Sequence, residues 1–189
     1  MSNKAFFLDR DGTLNVDYDY VHLIGEWTWC DGAIEALERI RDVGFKIFVV
    51  TNQSGVARGR FDMDDVNKLH NWVNNQLLER DIHIEEWYVA PWHPEFHDEH
   101  DPELLNYRKP GTGYFEKARD EYDLDLSRSC MAGDKVSDLQ PAVELRMTPF
   151  FIRSRFEPSQ DQQWLEKHNI KVFDRLLDAV KTLEKERVS

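Results

Sequence analysis

Short apolar runs recur along the chain, and most of them are rich in β-branched or aromatic residues. Runs of this length are typical of strands that are buried on both faces of a parallel sheet. We therefore predict five strands, at residues 5–8, 46–50, 85–90, 129–132 and 148–152.

The segments between these runs place apolar residues three or four positions apart, which predicts amphipathic helices. Strands that alternate with helices predict an α/β fold, in which residues 1–189 form a single domain around a doubly wound, Rossmann-like parallel sheet flanked by helices. The predicted helices are residues 31–44, residues 62–80, one that ends near residue 122, a short one with Pro141 near its first turn, and a last one that carries Leu176, Val180 and Leu183.

Two segments lack a helical or strand period. Residues 16–30 are aromatic, and we predict a loop or a small hairpin there. Residues 91–107 contain three prolines, three histidines and many acids, which predicts a long polar loop. Loops of that length in a compact domain are usually functional or mobile, so both segments are candidates for the surroundings of a site.

Acidic residues outnumber basic ones by 36 to 24, which gives a formal net charge of −12. This charge disfavours nucleic acid and anionic membranes as partners, but it permits a small anionic substrate at a locally cationic site. The sequence shows no secretion signal and no apolar run that could span a bilayer. Its two cysteines, Cys30 and Cys130, form no C-x-x-C pair. We expect a soluble, cytoplasmic monomer.

The strongest chemical signal is the pair Asp9 and Asp11, which follows the first predicted strand and precedes Gly12. Open α/β sheets bind their ligands at the carboxyl ends of their strands. Two carboxylates this close repel each other unless they bind a cation or hold a proton. One of them can then be an ionised nucleophile while the other donates a proton.

Three more polar clusters come after predicted strands: Thr51 with Asn52, Arg108 with Lys109, and Asp134 with Lys135 and Asp138. In a parallel sheet, all of these clusters can converge on one site. Carboxylates there suit Mg²⁺, while the cations and the Thr51 hydroxyl suit phosphate oxygens. The sequence therefore predicts phosphoryl transfer through an aspartyl-phosphate.

The stretches DRDGT, TNQSG, RKPGTG and GDKVSD resemble the four motifs of the haloacid dehalogenase superfamily of phosphatases. Within it, LDRDGTLNVDYDYVH, VVTNQSGVARG and YRKP are similar to the heptose bisphosphate phosphatases. This resemblance implies Mg²⁺-dependent removal of the 7-phosphate of D-glycero-D-manno-heptose 1,7-bisphosphate. That reaction belongs to bacterial heptose biosynthesis, which serves lipopolysaccharide or capsule assembly.

The resemblance also implies roles for individual residues. Asp9 would be the nucleophile, and Asp11 would be the general acid and then the general base. Mg²⁺ would be held by the Asp9 carboxylate, the Asp11 carbonyl and Asp134. Thr51, Arg108 and Lys109 would stabilise the phosphoryl group, whereas Asp138 would orient the metal's water shell or Lys135, or else cap a helix. The implied substrate contacts are Asp17, Tyr18, Asp19, Tyr20, Asn52, Gln53, Ser54 and Lys135.

The chain departs from the family pattern in the loop that precedes RKP, where many relatives hold a structural zinc. The corresponding positions here are Ala90, Trp92, Leu105 and Tyr107, none of which is a zinc ligand, so we expect no structural zinc. Apolar packing by Trp92, Leu104, Leu105 and Tyr107 is the simplest substitute. A replacement metal at His93, His97 and His100 is the alternative to a solvated acidic loop.

The motif spacing leaves no room for a large inserted cap, so the fold is expected to be capless, with residues 18–29 and 91–107 covering the site. The nearest competing enzyme is a histidinol-phosphate phosphatase, against which the DYDYVH segment favours the heptose substrate. A receiver-type signalling domain would also use an aspartate and Mg²⁺, but it does not need Asp11. A catalytically idle binding protein is the remaining alternative.

Overall fold

The structure is a computed structural model that describes residues 2–96, 102–154 and 159–185. Within them, six parallel strands form one sheet in the order β3-β2-β1-β4-β5-β6. All five predicted strands are present, and β6 is an additional short edge strand. The strands are β1 (Ala5–Leu8), β2 (Lys46–Asn52), β3 (Ile84–Ala90), β4 (Cys130–Gly133), β5 (Thr148–Ile152) and β6 (Lys171–Phe173).

Helices cover both faces of this sheet, which confirms the predicted doubly wound α/β class. One face packs against α1, α3 and α8, and the other packs against α5, α6 and α7. The helices are α1 (Ala33–Asp42), α2 (Ser54–Ala57), α3 (Met63–Leu78), α4 (Pro102–Asn106), α5 (Gly113–Tyr122), α6 (Val136–Glu144), α7 (Ser159–Lys167) and α8 (Leu176–Lys185).

The apolar run at residues 5–8 is continuous because the central strand β1 is buried on both faces. Its four residues are fully buried, and successive side chains enter opposite layers. Phe6 packs in the layer of α1, α3 and α8, whereas Phe7 packs in the opposite layer, 5.0 Å from the ring of Phe115. A strand that is buried on both faces cannot alternate with polar residues, so β1 holds the middle of the molecule in place.

Three helices and one strand differ from the sequence expectations. The short helix α4 lies within the loop predicted at residues 91–107, and α2, α7 and β6 were not predicted. Pro141 lies in the second turn of α6, not in its first turn, so the expectation about its position was wrong. The helix continues because the missing N–H of Pro141 costs one hydrogen bond near the start of α6.

The two aperiodic segments have different structures. The ends of residues 16–30 pair like a hairpin, since Val16 N–H donates to the Thr28 carbonyl at 2.8 Å and Cys30 N–H donates to the Leu14 carbonyl at 2.9 Å. In residues 91–107, the structure describes 91–96 and the part that contains α4. His97 and His100 lie outside the described residues. None of the described helices is long and apolar enough to cross a bilayer.

Candidate active site

The candidate active site lies where the strand order reverses, between β1 and β4. The chain leaves β1 at Asp9 and β4 at Asp134, and Asp9 N–H still donates to the Ala132 carbonyl at 2.9 Å. The strands β2 and β3 lie on one side of β1, and β4 and β5 lie on the other side. This reversal of the strand order opens a crevice at the carboxyl edge of the sheet. The predicted convergence of strand-end residues is therefore present for Asp9 and Asp134.

Gly12 allows these two strand ends to approach each other. Its φ is +87°, a conformation that side chains disfavour, and a Cβ at this position would overlap the carboxylate of Asp134. The glycine of the D-x-D-G-T motif is thus required twice, once for the turn after Asp11 and once for the closeness of Asp134.

Three buried carboxylates, Asp9, Asp134 and Asp138, form the centre of the site. Their oxygens lie within 4.8 Å of one another, and the three residues are at most 5% exposed. Burial and the negative charge of Asp138 raise the pKa of Asp9 to about 6, although Lys109 opposes the shift. Burial and the charges of Asp9 and Asp138 raise the pKa of Asp134 to about 7.

This cluster fits a divalent cation. Both carboxylate oxygens of Asp134 are buried, and the Lys135 ammonium is 3.6 Å from one of them. Ser154 and Lys135 lower the pKa of Asp134, but burial and the charges of Asp9 and Asp138 outweigh them. A buried carboxylate whose charge is not offset is costly, and a hard cation with oxygen ligands removes that cost. Asp9 and Asp134 are therefore suited to hold Mg²⁺, and the ligand set with the Asp11 carbonyl stays a prediction.

Lys109 pairs with two of the three carboxylates. Its Nζ lies 2.6 Å from Asp9 Oδ1 and 2.7 Å from Asp138 Oδ1, and its side chain is almost completely buried. Burial alone would lower the pKa of Lys109, but Asp138 and Asp9 together raise it. Asn52 fixes the backbone of Lys109 because its amide donates to the Lys109 carbonyl at 3.0 Å and accepts from the Lys109 N–H at 3.1 Å.

Asp138 has two structural roles, of which the sequence offered only the helix cap. Its Oδ2 accepts from the Lys135 N–H at 2.9 Å, so it caps the first turn of α6. Its Oδ1 pairs with Lys109 rather than with Lys135. The motif GDKVSD thus links the helix start to the lysine that touches Asp9.

Asp11 has the opposite electrostatic environment. Arg10 donates to Asp11 through Nε (3.0 Å to Oδ2) and through Nη2 (2.9 Å to Oδ1). Asn15 Nδ2 donates to Oδ1 at 3.0 Å, and Gln53 Nε2 donates to Oδ2 at 2.9 Å. Burial would raise the pKa of Asp11, but the charge of Arg10 and these hydrogen bonds lower it.

Arg10 is the main functional residue that sequence reasoning missed. It lies inside the DRDGT motif, but nothing in a single sequence says whether such a side chain faces water or the interior. In the structure it is fully buried, because its charge is paired with Asp11 and it donates to the Val21 carbonyl at 2.6 Å.

A cleft of about 200 Å³ opens next to Asp11. It contains seven of the eight predicted substrate contacts, so the structure brings these residues together. Tyr18 is not among the lining residues and is 53% exposed. The lining residues are Asp11, Asp17, Asp19, Tyr20, Asn52, Gln53, Ser54, Gly55 and Lys135.

The remaining two predicted phosphate ligands differ in position. Thr51 is buried and its Oγ1 accepts from Gln53 Nε2 at 2.8 Å, so its own O–H can still donate. Arg108 is directed toward the segment before it, where Nη1 donates to the Trp92 carbonyl at 2.9 Å. Its assignment to the phosphoryl group stays a prediction.

The segment that precedes the RKP motif is anchored mainly by arginines. Besides the Arg108 contact with Trp92, the Arg58 guanidinium lies 4.4 Å from the ring centre of Phe96. Leu104 and Leu105 are more than one-third exposed, so the expectation that they pack in place of zinc was wrong. Tyr107 does pack, with its ring centre 5.0 Å from that of Tyr114.

Comparisons with known proteins agree with this geometry. The model of the family described as polynucleotide kinase 3 phosphatase matches residues 4–148. The D-glycero-beta-D-manno-heptose-1,7-bisphosphate 7-phosphatase of Escherichia coli O6:H1 is 43% identical over 142 residues, which are 75% of this chain and 75% of the relative. The protein of the same name from Haemophilus influenzae is 43% identical over 141 residues, 75% of this chain and 76% of the relative.

A solved structure is similar over almost the whole chain. The D,D-heptose 1,7-bisphosphate phosphatase from B. bronchiseptica, complexed with magnesium and phosphate, matches with a TM-score of 0.81 and 27% identity. The match covers 97% of this chain and 99% of that one. The chain therefore belongs to the polynucleotide kinase 3 phosphatase family of the haloacid dehalogenase superfamily, among the heptose-1,7-bisphosphate 7-phosphatases.

Proposed function

We propose that the protein is a Mg²⁺-dependent phosphatase that removes the 7-phosphate of D-glycero-β-D-manno-heptose 1,7-bisphosphate. The observation that carries this proposal is the buried group of Asp9, Asp134 and Lys109, beside an acid–base candidate, Asp11, on the edge of a cleft. The names of the relatives support the substrate and its β-anomer.

In the first step, an Asp9 carboxylate oxygen attacks phosphorus while the bond to the sugar oxygen breaks. Asp11 gives its proton to that leaving oxygen. The negative charge of the bound phosphate favours the protonated form of Asp11, against the effect of Arg10. Lys109 holds Asp9 in position, and the Thr51 hydroxyl and Lys109 offer donors to the phosphoryl oxygens.

In the second step, water attacks the phosphorus of the aspartyl-phosphate. Asp11, now ionised, takes the proton of that water, and the bond between phosphorus and Asp9 breaks to release inorganic phosphate. Mg²⁺ would be held by Asp9, Asp134 and the Asp11 carbonyl, and when bound it supplies positive charge that offsets the negative charge of the phosphoryl group.

The remaining features of the proposal concern the whole protein. The chain works as a single-domain monomer in the cytoplasm, with a small phosphorylated sugar as its substrate and without nucleic acid or a membrane as partner. Support comes from the net charge of −12 and from a cleft whose size suits a sugar rather than a polymer. Tyr18 and Arg108 are assigned to substrate and phosphoryl contacts that form when the sugar is bound.

The test is phosphate release with Mg²⁺ on a defined panel. The panel contains both anomers of heptose 1,7-bisphosphate, histidinol phosphate, common sugar phosphates and a 3′-phosphorylated oligonucleotide. The expected result is selective turnover of the β-bisphosphate with one phosphate released per molecule.

Other outcomes would contradict the proposal in different ways. Preference for histidinol phosphate would keep the mechanism but change the substrate. Preference for the oligonucleotide would contradict the proposed absence of nucleic acid partners. No turnover, together with stable phosphorylation of Asp9 by a small phosphodonor, would indicate a receiver-type signalling domain.

A further inference from the structure

Arg10 is a fully buried cation one residue from the nucleophile, and no catalytic step above uses it. A buried guanidinium is costly unless its charge is paired and its donors are satisfied. Here its charge is paired with Asp11, the acid–base residue, and its Nη2 also reaches the Val21 carbonyl. The Asp11 carboxylate therefore supplies most of the compensation for burying Arg10. Asp11 is also the group whose position matters for proton transfer.

Arg10 controls the orientation of the Asp11 carboxylate. An ionised carboxylate has about four acceptor positions, and in this structure four donors occupy them. This is the ionised form of Asp11, and one of the four donors has to give way when Asp11 carries the proton for the leaving oxygen. Arg10 supplies two of the four through a planar fork, while Asn15 and Gln53 supply one neutral amide each. Two parallel bonds fix both the position and the plane of a carboxylate, which a single amide cannot do.

A second layer of residues holds Arg10 itself. The Nη1 of Arg10 lies 3.3 Å from Nε2 of His70, which belongs to α3 and is buried. For Arg10 to donate to it, this nitrogen has to carry the lone pair of a neutral ring. The His70 ring is stacked on Trp87 of β3 with 4.0 Å between ring centres, and Trp87 Nε1 donates to Asn74 at 2.9 Å.

From this geometry we propose that Arg10 is a positioning residue for Asp11 and that His70 acts through Arg10. The inference rests on the proposed phosphatase function, in which Asp11 protonates the leaving sugar oxygen. Because Arg10 also contacts Val21, it links the position of Asp11 to the loop that carries Asp17, Asp19 and Tyr20.

The dependence of the rate on the leaving group separates this role from general structural damage. A sugar oxygen is a poor leaving group and needs the proton of Asp11, whereas 4-nitrophenolate leaves without one. The ratio kcat/KM reports only the steps up to release of the alcohol, so hydrolysis of the aspartyl-phosphate does not enter it. Misplacement of Asp11 should therefore slow the sugar substrate selectively.

The experiment compares kcat/KM for heptose 1,7-bisphosphate and for 4-nitrophenyl phosphate. In His70→Leu, which cannot accept from Arg10, we expect a loss of about 10-fold or more for the sugar and of less than about 3-fold for the aryl phosphate. Arg10→Lys keeps the charge but not the fork and should show the same selective loss. In His70→Gln the amide oxygen can accept, so the values should stay within about 3-fold of wild type.

Asn67→Ala is the matched control, because Asn67 lies exposed on α3 one turn before His70 and should leave kcat/KM for both substrates unchanged. Circular dichroism and the unfolding temperature verify that each variant is folded. Equal losses on both substrates in folded His70→Leu and Arg10→Lys, or no loss in either, would overturn the inference while leaving the proposed function intact. A wild-type protein that hydrolyses neither phosphate would contradict the proposed function itself.

Discussion

Asp9, Asp11 and Asp134, three aspartates of the strand-end motifs, lie in two contrasting environments. Burial and mutual repulsion raise the pKa of Asp9 and Asp134, whereas Arg10 and neutral donors lower the pKa of Asp11. Charged neighbours that push the pKa values of nearby carboxyls apart are typical of sites in which those carboxyls have different tasks. A cation bound to Asp9 and Asp134 favours their ionised forms, so the nucleophile and the metal site support each other.

Asp9→Asn is the direct test of the nucleophile. The amide is nearly isosteric with the carboxylate but cannot form the aspartyl-phosphate, so we expect kcat to fall by about 10³-fold or more. Lys109 keeps Asp138 as its partner, which should leave the protein folded. Steady-state phosphate release and circular dichroism measure the two effects.

Asp64→Asn serves as the control, because Asp64 is exposed on α3 and should leave kcat unchanged. Measurable turnover in Asp9→Asn at more than a few per cent of the wild-type rate would remove Asp9 from the nucleophile role.

At the scale of elements, the sequence alone was sufficient to predict the strands of the buried sheet. The strands from β1 to β5 were predictable because each is a short apolar run that ends at a polar cluster, and the convergence of those clusters follows from a parallel sheet. The strand β6 has only three residues and is partly exposed, so its pattern is weak. The helices α2 and α4 have four and five residues, too few for a helical period to be recognised.

The contacts that organise the site could not be read from the sequence in the same way. Lys109 and Asp9 are 100 residues apart, and Arg10 and His70 are 60 residues apart. Pairings of this kind depend on how helices and strands pack, not on local spacing. The motifs therefore predicted seven of the residues that line the cleft, but not that Tyr18 and Arg108 lie outside it or that Asp138 pairs with Lys109.

Asp138 connects α6 to Lys109, and its two roles can be separated by substitution. Asp138→Ala removes both the cap and the ion pair, so we expect a loss of about 1–2 kcal/mol in the free energy of unfolding and a lower kcat. The loss is moderate because Lys109 keeps Asp9 as a partner. Asp138→Asn retains an acceptor for the Lys135 N–H and should keep most of the stability while kcat still falls.

Urea unfolding and steady-state kinetics distinguish these expectations. If Asp138→Asn were as unstable as Asp138→Ala, the cap would not be the main structural role of this side chain. If both variants kept the wild-type kcat, the pair with Lys109 would have no part in catalysis.

At the scale of the whole molecule, a chain with a net charge of −12 places cations close to its acidic cluster and cleft. Lys109 and Lys135 contact the acidic cluster, and Arg58 and Arg108 hold the segment at residues 91–96. This local positive charge suits a small phosphorylated molecule.

The segment before the RKP motif lacks the zinc ligands of many relatives, and this predicts the metal content of the protein. Because Ala90, Trp92, Leu105 and Tyr107 offer no thiolate or imidazole, we expect purified protein to contain negligible zinc even after expression with added zinc salt. Mass-spectrometric metal analysis after gel filtration measures this directly. Stoichiometric zinc that resists dialysis would show that other residues of the segment form a metal site.

Without a metal, the acidic cluster should lower the free energy of unfolding as the pH rises. Bound Mg²⁺ should remove this loss. The folded state raises the pKa of Asp134 from 3.8 to about 7, so folding favours the protonated carboxyl. The contribution of Asp134 to the free energy of unfolding is therefore fully present below about pH 4 and is lost as the pH rises through 7. In EDTA we therefore expect this cluster to remove on the order of 2 kcal/mol from the free energy of unfolding between pH 5 and pH 8.

Asp134→Asn cannot ionise, so in EDTA its stability should decline less over the same range, although its Mg²⁺-dependent activity should be lost. Saturating Mg²⁺ should abolish the decline in the wild-type protein, because a cation that binds the folded carboxylates favours their ionised form and stabilises the fold by mass action. Urea unfolding across pH, with EDTA or with Mg²⁺, gives the four curves. If the free energy of unfolding in EDTA depended on pH equally in both proteins, ionisation of Asp134 would not destabilise the metal-free fold. The cluster would then not require a cation for its stability.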